Sequence, residues 1–150
     1  MTRSYRAAAS TKDWSASQYL KFEAQRTCLA RDILAQVPLT SPRRITNLGC
    51  GPGNSTAAII ERFPNSHVTG MDSSSDMIKT AKAALPDVDF AIGYLSSYAP
   101  DESTDLLFSN AVFQWIPSEE RIPIMKRLIQ SLRPEASLLS RSLTTTWSHL

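Results

Sequence analysis

The sequence is poor in the residue types that build metal centres and disulfide frameworks. It has two cysteines and two histidines in 150 residues, and neither type occurs at metal-ligand spacing. No apolar run reaches the roughly 18 residues that a membrane span requires, and the N-terminus lacks the apolar core of a signal peptide. The net charge of +2 is too small to favour nucleic acid or a membrane surface as partner. We therefore expect a cytoplasmic protein without a bound metal.

Hydrophobic residues make up 42% of the chain and charged residues 20%, which is typical of one globular domain. Short β-rich stretches at residues 43–48, 67–72, 88–92 and 105–109 alternate with stretches of helical periodicity. Such alternation is typical of βαβ units. The sequence therefore predicts an α/β fold with a doubly wound, mostly parallel sheet.

Three segments differ in pattern along the chain. Residues 1–13 are small and polar and are expected to be a flexible lead-in. Residues 14–134 carry the alternating pattern and are expected to form the folded domain. Seven of the 16 residues from 135 to 150 are Ser or Thr, and no clean period survives there. We expect this last segment to be a disordered tail.

A glycine-rich loop follows the first predicted strand and opens a helix. Gly49, Gly51 and Gly53 let the chain turn tightly and let a ligand approach bare backbone. The helix N-terminus behind them offers free N–H groups and partial positive charge. Asp72 ends the second predicted strand, where a carboxylate can accept both hydroxyls of a ribose. Together these features predict a nucleoside site.

The loop spacing bears on which nucleoside binds. A dinucleotide fingerprint has the pattern G-x-G-x-x-G, but the sixth position counted from Gly49 is Asn54. A nucleotide-dependent oxidoreductase is therefore the disfavoured alternative.

The loop residues 48–56 resemble the cofactor loop of class I S-adenosylmethionine-dependent methyltransferases. Residues 14–38, 69–74 and 109–117, the last reading Ser-Asn-Ala-Val-Phe-Gln-Trp-Ile-Pro, are similar to the trans-aconitate methyltransferase group. The resemblance covers roughly residues 14–134. It implies a Rossmann-like methyltransferase fold with S-adenosyl-L-methionine as cofactor, and an N-terminal lid helix over the site.

The resemblance also implies roles for individual residues. Its expected cofactor-binding residues are Gly49, Gly51, Gly53, Asp72, Met77, Leu95 and Asn110. Its expected substrate-pocket and lid residues are Trp14, Tyr19, Phe22, Arg26, Gln114 and Trp115. Alternatives stay open for several of them: Met77 and the aromatic residues also suit core packing, and Arg26 also suits a solvated helix face.

The activity implied is methyl transfer to a carboxylate of a small polycarboxylic acid such as trans-aconitate, giving a methyl ester. No catalytic acid or base is expected, because a carboxylate is already ionised at pH 7. A catalytically inactive cofactor-binding or interaction protein of the same family is the alternative.

Three features depart from the family pattern. Gly93 is followed by Tyr94 and Leu95, where the family commonly has an acid that meets the adenine amino group. Asn47 stands where the family usually has an acid, two positions before the first glycine. The apolar fifth strand expected after Pro134 is not recognisable, so the sequence predicts about four of seven strands and a chain truncated at its C-terminus. Residues 105–109 would then form a bare sheet edge, which favours self-association.

Overall fold

The computed structural model describes residues 23–142 and 145–148. Five helical segments and six strands alternate along them. The helical segments are α1 (Glu23–Ala35), α2 (Asn54–Arg62), α3 (Ser75–Ala84), a 3₁₀ turn (Phe113–Trp115) and α4 (Ser118–Gln130). The strands are β1 (Arg44–Leu48), β2 (His67–Asp72), β3 (Asp89–Ile92), β4 (Leu106–Asn110), β5 (Ser137–Ser142) and β6 (Thr145–Ser148).

All six strands form one sheet in the order β3-β2-β1-β4-β5-β6. Strands β1 to β5 are parallel to their neighbours, and β6 pairs antiparallel with β5. The order reverses at β1, between β2 and β4, and open α/β sheets place ligands at the carboxyl ends of the strands beside such a point. The predicted α/β class and doubly wound sheet are confirmed.

The sheet is covered on both faces. One core cluster joins Ile33 and Leu34 of α1 and Ile59 of α2 to Ile45 and Phe108 of the sheet. The other joins Ile124 and Leu128 of α4 to Leu48, Leu107 and Leu138 on the opposite face. Strand β4 lies between the two clusters, and its first four residues are all buried. Such strands read as continuous apolar runs, as β4 does.

The expectation of a bare sheet edge at residues 105–109 is wrong. Strand β5 pairs with β4 over five residues, from Leu106 opposite Ser137 to Asn110 opposite Arg141. The physical reason is that β4 presents an unpaired ladder of backbone groups, which a following segment of modest strand propensity satisfies. Residues 137–142 and 145–148 are therefore strands rather than a disordered tail, and self-association through β4 loses its basis.

Asp105 connects neighbouring segments at the amino ends of the parallel strands. Its Oδ2 accepts the backbone N–H groups of Arg43 and Arg44, at 2.6 and 3.0 Å. Its Oδ1 pairs with Arg133, which precedes β5. One carboxylate thus joins the starts of β1 and β4 to the segment that leads into β5.

Some predictions concern residues that the structure does not describe. Residues 1–13 lie outside the described residues, as do Trp14, Tyr19 and Phe22. Within the described part of the chain, no helix is long and apolar enough to cross a membrane. The same residues contain no group of three His, Cys, Asp or Glu side chains that could hold a metal ion.

Candidate functional site

A cavity of about 620 Å³ opens at the carboxyl ends of β1, β2 and β4. Gly49 follows β1, Asp72 ends β2 and Asn110 ends β4, and all three line it. Because parallel strands bring their carboxyl ends to one edge, residues far apart in sequence meet there. The cavity is large enough for a nucleoside-sized ligand.

The three glycines of the loop adopt a backbone conformation that residues with side chains rarely adopt. Gly49, Gly51 and Gly53 have φ values of +68°, +55° and +103°, all in the left-handed region. Gly53 caps α2 without any side-chain hydrogen bond. The first N–H groups of α2 therefore lack a side-chain cap, as in helices whose N-termini bind anions such as carboxylate or phosphate.

Asp72 ties this loop to the start of α3. Its Oδ2 accepts the Gly51 N–H at 2.9 Å, and its Oδ1 accepts the Ser74 N–H at 2.9 Å. An ionised carboxylate has about four acceptor positions, so both oxygens keep capacity for further donors. The carboxylate is thus oriented by backbone on both sides while it lines the cavity.

Asn47 lies fully buried behind the loop. Its Nδ2 donates to Ser55 Oγ at 2.8 Å and to Thr56 Oγ1 at 2.9 Å, which fixes the first turn of α2 to β1. Its Oδ1 is buried and has no hydrogen-bond partner among the described residues. A buried acceptor left without a donor costs free energy.

The charge of the cavity is acidic. Among the described residues that line it, the carboxyl groups are Asp72 and Glu120, and there is no Lys, Arg or His. Such a wall favours a ligand with positive charge, such as a sulfonium nucleoside.

Cys50 lies in the loop but is not poised to react. Burial, with a smaller contribution from the negative charge of Asp72, raises the pKa of its thiol to about 12. The thiolate, which is the nucleophilic form, therefore does not form near pH 7.

The structure brings most of the described, predicted site residues together. The predicted residues that line the cavity are Gly49, Asp72, Met77, Leu95, Asn110, Gln114 and Trp115. Gly51 and Gly53 are buried in the loop beside them. Arg26 lies in α1, and its side chain is outside the described residues. Leu29, three residues further along α1, lines the cavity.

Sequence reasoning missed several lining residues, among them Tyr94, Val112 and Glu120. Tyr94 is next to the predicted Leu95, and Val112 lies between the predicted Asn110 and Gln114. Their positions beside predicted site residues are the sequence signal that could have identified them. Val112 follows Ala111, whose φ of +59° is unusual for a residue with a side chain. Nothing in the sequence distinguishes Glu120 from an ordinary acid in a first helical turn.

The sheet order, the glycine loop and the carboxylate at the end of β2 define a class I methyltransferase fold. The residues fit S-adenosyl-L-methionine, the cofactor of that class: the loop carries no side chains where a ligand approaches, Asp72 can accept ribose hydroxyls, and the acidic wall suits a cation. A family model described as "Methyltransferase domain" matches residues 45–135. The chain belongs to this methyltransferase domain family.

Individual relatives agree with that assignment. The chain is 49% identical over 122 residues to a trans-aconitate 2-methyltransferase of Rhodopseudomonas palustris (strain BisB18), which covers 81% of this chain and 47% of the relative. It is 53% identical over 121 residues to the trans-aconitate 2-methyltransferase of Rhizobium leguminosarum bv. trifolii (strain WSM2304), covering 81% and 46%. The chain thus spans about half the length of the curated relatives it matches.

A solved structure shares the fold at low sequence identity. It is the plantazolicin methyltransferase BpumL in complex with SAH, with a TM-score of 0.65 and 20% identity, covering 83% of this chain and 50% of that one.

Proposed function

We propose that this protein takes part in transfer of a methyl group from S-adenosyl-L-methionine to a carboxylate of a small polycarboxylic acid such as trans-aconitate. The observation that carries the proposal is the cavity at the carboxyl ends of β1, β2 and β4. It joins the glycine loop, the Asp72 carboxylate and the 113–117 turn in one site. The substrate class comes from the trans-aconitate 2-methyltransferases that the chain resembles.

The cofactor, when bound, supplies an electrophilic methyl group on a sulfonium. Asp72 would accept the ribose hydroxyls, since both of its oxygens are already oriented by the Gly51 and Ser74 N–H groups. Met77 and Leu95 are buried and apolar, and they would pack against the adenine ring. The backbone of Gly49, which lines the cavity beside β1, would face the methionine portion.

The acceptor needs little acid–base help from the protein. A carboxylate of ordinary pKa is ionised at pH 7 and is itself the nucleophile. What this chain would contribute is placement and exclusion of water. Asn110, Gln114 and Trp115 line the part of the cavity that follows β4, and we assign the acid to that part.

A polycarboxylate also needs a cation, which the described lining residues do not provide. We propose Arg26 for this role. It lies in α1 one helical turn before Leu29, and Leu29 lines the cavity. An arginine can bind a carboxylate through two parallel hydrogen bonds.

The first test measures the cofactor. Titration calorimetry compares wild type, Asp72→Asn and Asp87→Asn, with S-adenosyl-L-methionine and separately with NAD. Asp87 is exposed and far along the chain from the loop, so it is the matched control. We expect Asp72→Asn to weaken S-adenosyl-L-methionine binding about tenfold to a hundredfold, because hydrogen bonds to a charged carboxylate are lost. Binding of NAD alone would contradict the proposal and favour the oxidoreductase.

The second test measures the acceptor. Methyl-labelled S-adenosyl-L-methionine is incubated with trans-aconitate and with saturated tricarboxylic acids, and the product is treated with mild alkali. A methyl ester releases its label as methanol, whereas a methylamine or methyl ether does not. Cofactor binding without label in any acid would favour the alternative, a cofactor-binding or interaction protein of the family.

A further inference from the structure

Helix α4 carries two arginines whose guanidinium groups both end on backbone carbonyl oxygens. Arg121 donates from Nε to the Ile116 oxygen at 2.7 Å and from Nη2 to the Gln114 oxygen at 3.0 Å. Arg127 donates from Nη1 to the Tyr98 oxygen at 2.5 Å and from Nη2 to the Leu95 oxygen at 2.6 Å. Each arginine thus makes two hydrogen bonds to a single chain segment.

Those two segments are the walls of the cavity. Tyr94, Leu95 and Ser96 line it from the segment after β3, and residues 114–117 line it from the turn after β4. Neither segment belongs to a strand or α-helix, and each has local turn hydrogen bonds within itself. The arginines add hydrogen bonds from each segment to α4, through the carbonyl groups of Leu95 and Tyr98 on one side and of Gln114 and Ile116 on the other.

The helix geometry explains why one element holds both walls. Arg121 and Arg127 are six residues apart, so they lie roughly 240° apart around the helix and about 9 Å apart along it. Ile124 lies between them and is buried against the sheet. The buried residues Ile124 and Leu128 fix α4 to the sheet, and the two guanidinium groups extend to either side of this apolar face.

We propose that Arg121 and Arg127 are positioning residues that act on the two walls independently. Arg127 holds the 94–98 segment against the cofactor, and Arg121 holds the 113–117 turn that carries Trp115. The proposal rests on S-adenosyl-L-methionine occupying this cavity, with Leu95 on its adenine side. A lysine cannot replace either residue, because a single ammonium group does not reproduce the planar pair of donors.

The experiment uses the full chain with Trp14 and Trp147 replaced by Phe, so that Trp115 is the remaining tryptophan. This double variant is the reference for every measurement, because Trp14 is itself an expected lid residue. Arg121→Lys, Arg127→Lys and the control Lys126→Ala are compared by two measurements. One is the affinity for S-adenosylhomocysteine, and the other is quenching of Trp115 fluorescence by acrylamide without ligand. Lys126 is exposed on the same helix, so its replacement tests for a general effect of losing a cation there.

We expect opposite patterns from the two variants. Arg127→Lys weakens S-adenosylhomocysteine binding about tenfold and leaves quenching unchanged, because two hydrogen bonds that fix the adenine-side wall are lost. Trp115 is already 62% exposed, so Arg121→Lys raises the quenching constant by about a quarter to a half and leaves the affinity within about twofold, because the turn that holds Trp115 is released. Lys126→Ala changes neither.

Parallel changes in both measurements, or no change in either, would overturn the proposal. A merely structural role would lower the melting temperature and move both measurements together. If a lysine variant fails to fold, the corresponding Gln variant, which keeps an NH₂ group with two donors, is measured in its place. If the wild-type chain does not bind S-adenosylhomocysteine, the cofactor assignment fails, while the quenching result still decides the role of Arg121.

Discussion

Gly49 and Val112 are packed so closely that a Cβ atom at position 49 would lie 2.2 Å from Val112 Cγ2. Gly49 belongs to the loop after β1, and Val112 belongs to the turn after β4. Gly49 has a φ of +68°, and Ala111, the neighbour of Val112, has a φ of +59°. The two loops that form this side of the cavity are therefore fitted to each other by contact and by left-handed backbone on both sides.

Replacing Gly49 by Ala tests that fit. The new methyl group would meet Val112, and alanine tolerates the left-handed conformation poorly, at a cost of roughly 1–2 kcal/mol before any clash. We expect a lower melting temperature and a loss of cofactor affinity of at least tenfold. Thermal unfolding and calorimetry with S-adenosyl-L-methionine measure the two effects.

Gly93→Ala is the matched control, because Gly93 also lines the cavity but would meet only the flexible end of Met71, at 3.2 Å. It should change both quantities much less. The double variant Gly49→Ala/Val112→Ala should recover part of the lost stability, since the two positions are in contact. Additive losses in that double variant would show that Val112 is not what excludes a side chain at position 49.

Asp105 gives a prediction about stability rather than function. Replacing it by Ala leaves the Arg43 and Arg44 N–H groups without their acceptor and Arg133 without its partner. Because Asp105 is buried, we expect a loss of about 3 kcal/mol in the free energy of unfolding, measured by urea denaturation.

Asp101→Ala is the control for Asp105, since the Asp101 side chain is exposed and accepts hydrogen bonds from nearby Ser103. It should leave the free energy of unfolding nearly unchanged. Asp105 lies at the amino ends of the strands, and the cavity lies at their carboxyl ends. The folded fraction of Asp105→Ala should therefore bind cofactor normally. Equal losses in the two variants would mean that Asp105 does not anchor the sheet.

The pKa of Cys50 predicts a stability change at high pH. Its thiol titrates near 9 when unfolded and near 12 when folded. The unfolded chain therefore releases its proton first, so stability is full below pH 9 and falls between pH 9 and 12. The slope is at most about 1.4 kcal/mol per pH unit. Cys50→Ala should remove this part of the slope, and an unchanged slope would contradict the burial argument.

Most of the cofactor side of the site was visible in the sequence because its signals are local. The glycine spacing and the acid at the end of the next strand lie within about 25 residues, and the alternation of elements fixes which sheet edge they share. The contact between Val112 and Gly49 and the hydrogen bonds of the two α4 arginines were not predictable, because they involve partners more than 25 residues away or backbone atoms.

Strand β5 is an element that its own sequence does not predict. Ser-Leu-Leu-Ser-Arg-Ser has none of the β-branched or aromatic residues that favour strands. Leu138 and Leu139 are nevertheless both buried, one against each core cluster. The neighbouring β4 determines this structure, and a tertiary effect of that kind leaves little trace in a local pattern.

Asn47 gives the prediction that most directly concerns the cofactor. Its buried Oδ1 receives no hydrogen bond from the part of the chain that the structure describes. Asn47 also stands where the family usually has an acid. Asn47→Asp would add a negative charge behind the loop, and a negative charge on the protein attracts a cationic ligand. We expect this variant to bind S-adenosyl-L-methionine about threefold to tenfold more tightly. Without ligand it should be less stable, because the buried charge then has no partner.

Thermal unfolding with and without saturating S-adenosyl-L-methionine measures both effects in one experiment. The ligand-induced rise in melting temperature should be larger for Asn47→Asp than for wild type. Asn65→Asp, at an exposed turn, adds the same charge away from the loop and should leave the rise unchanged. An equal or smaller rise in Asn47→Asp would mean that Asn47 acts through Ser55 and Thr56, as an anchor for α2, rather than on the ligand.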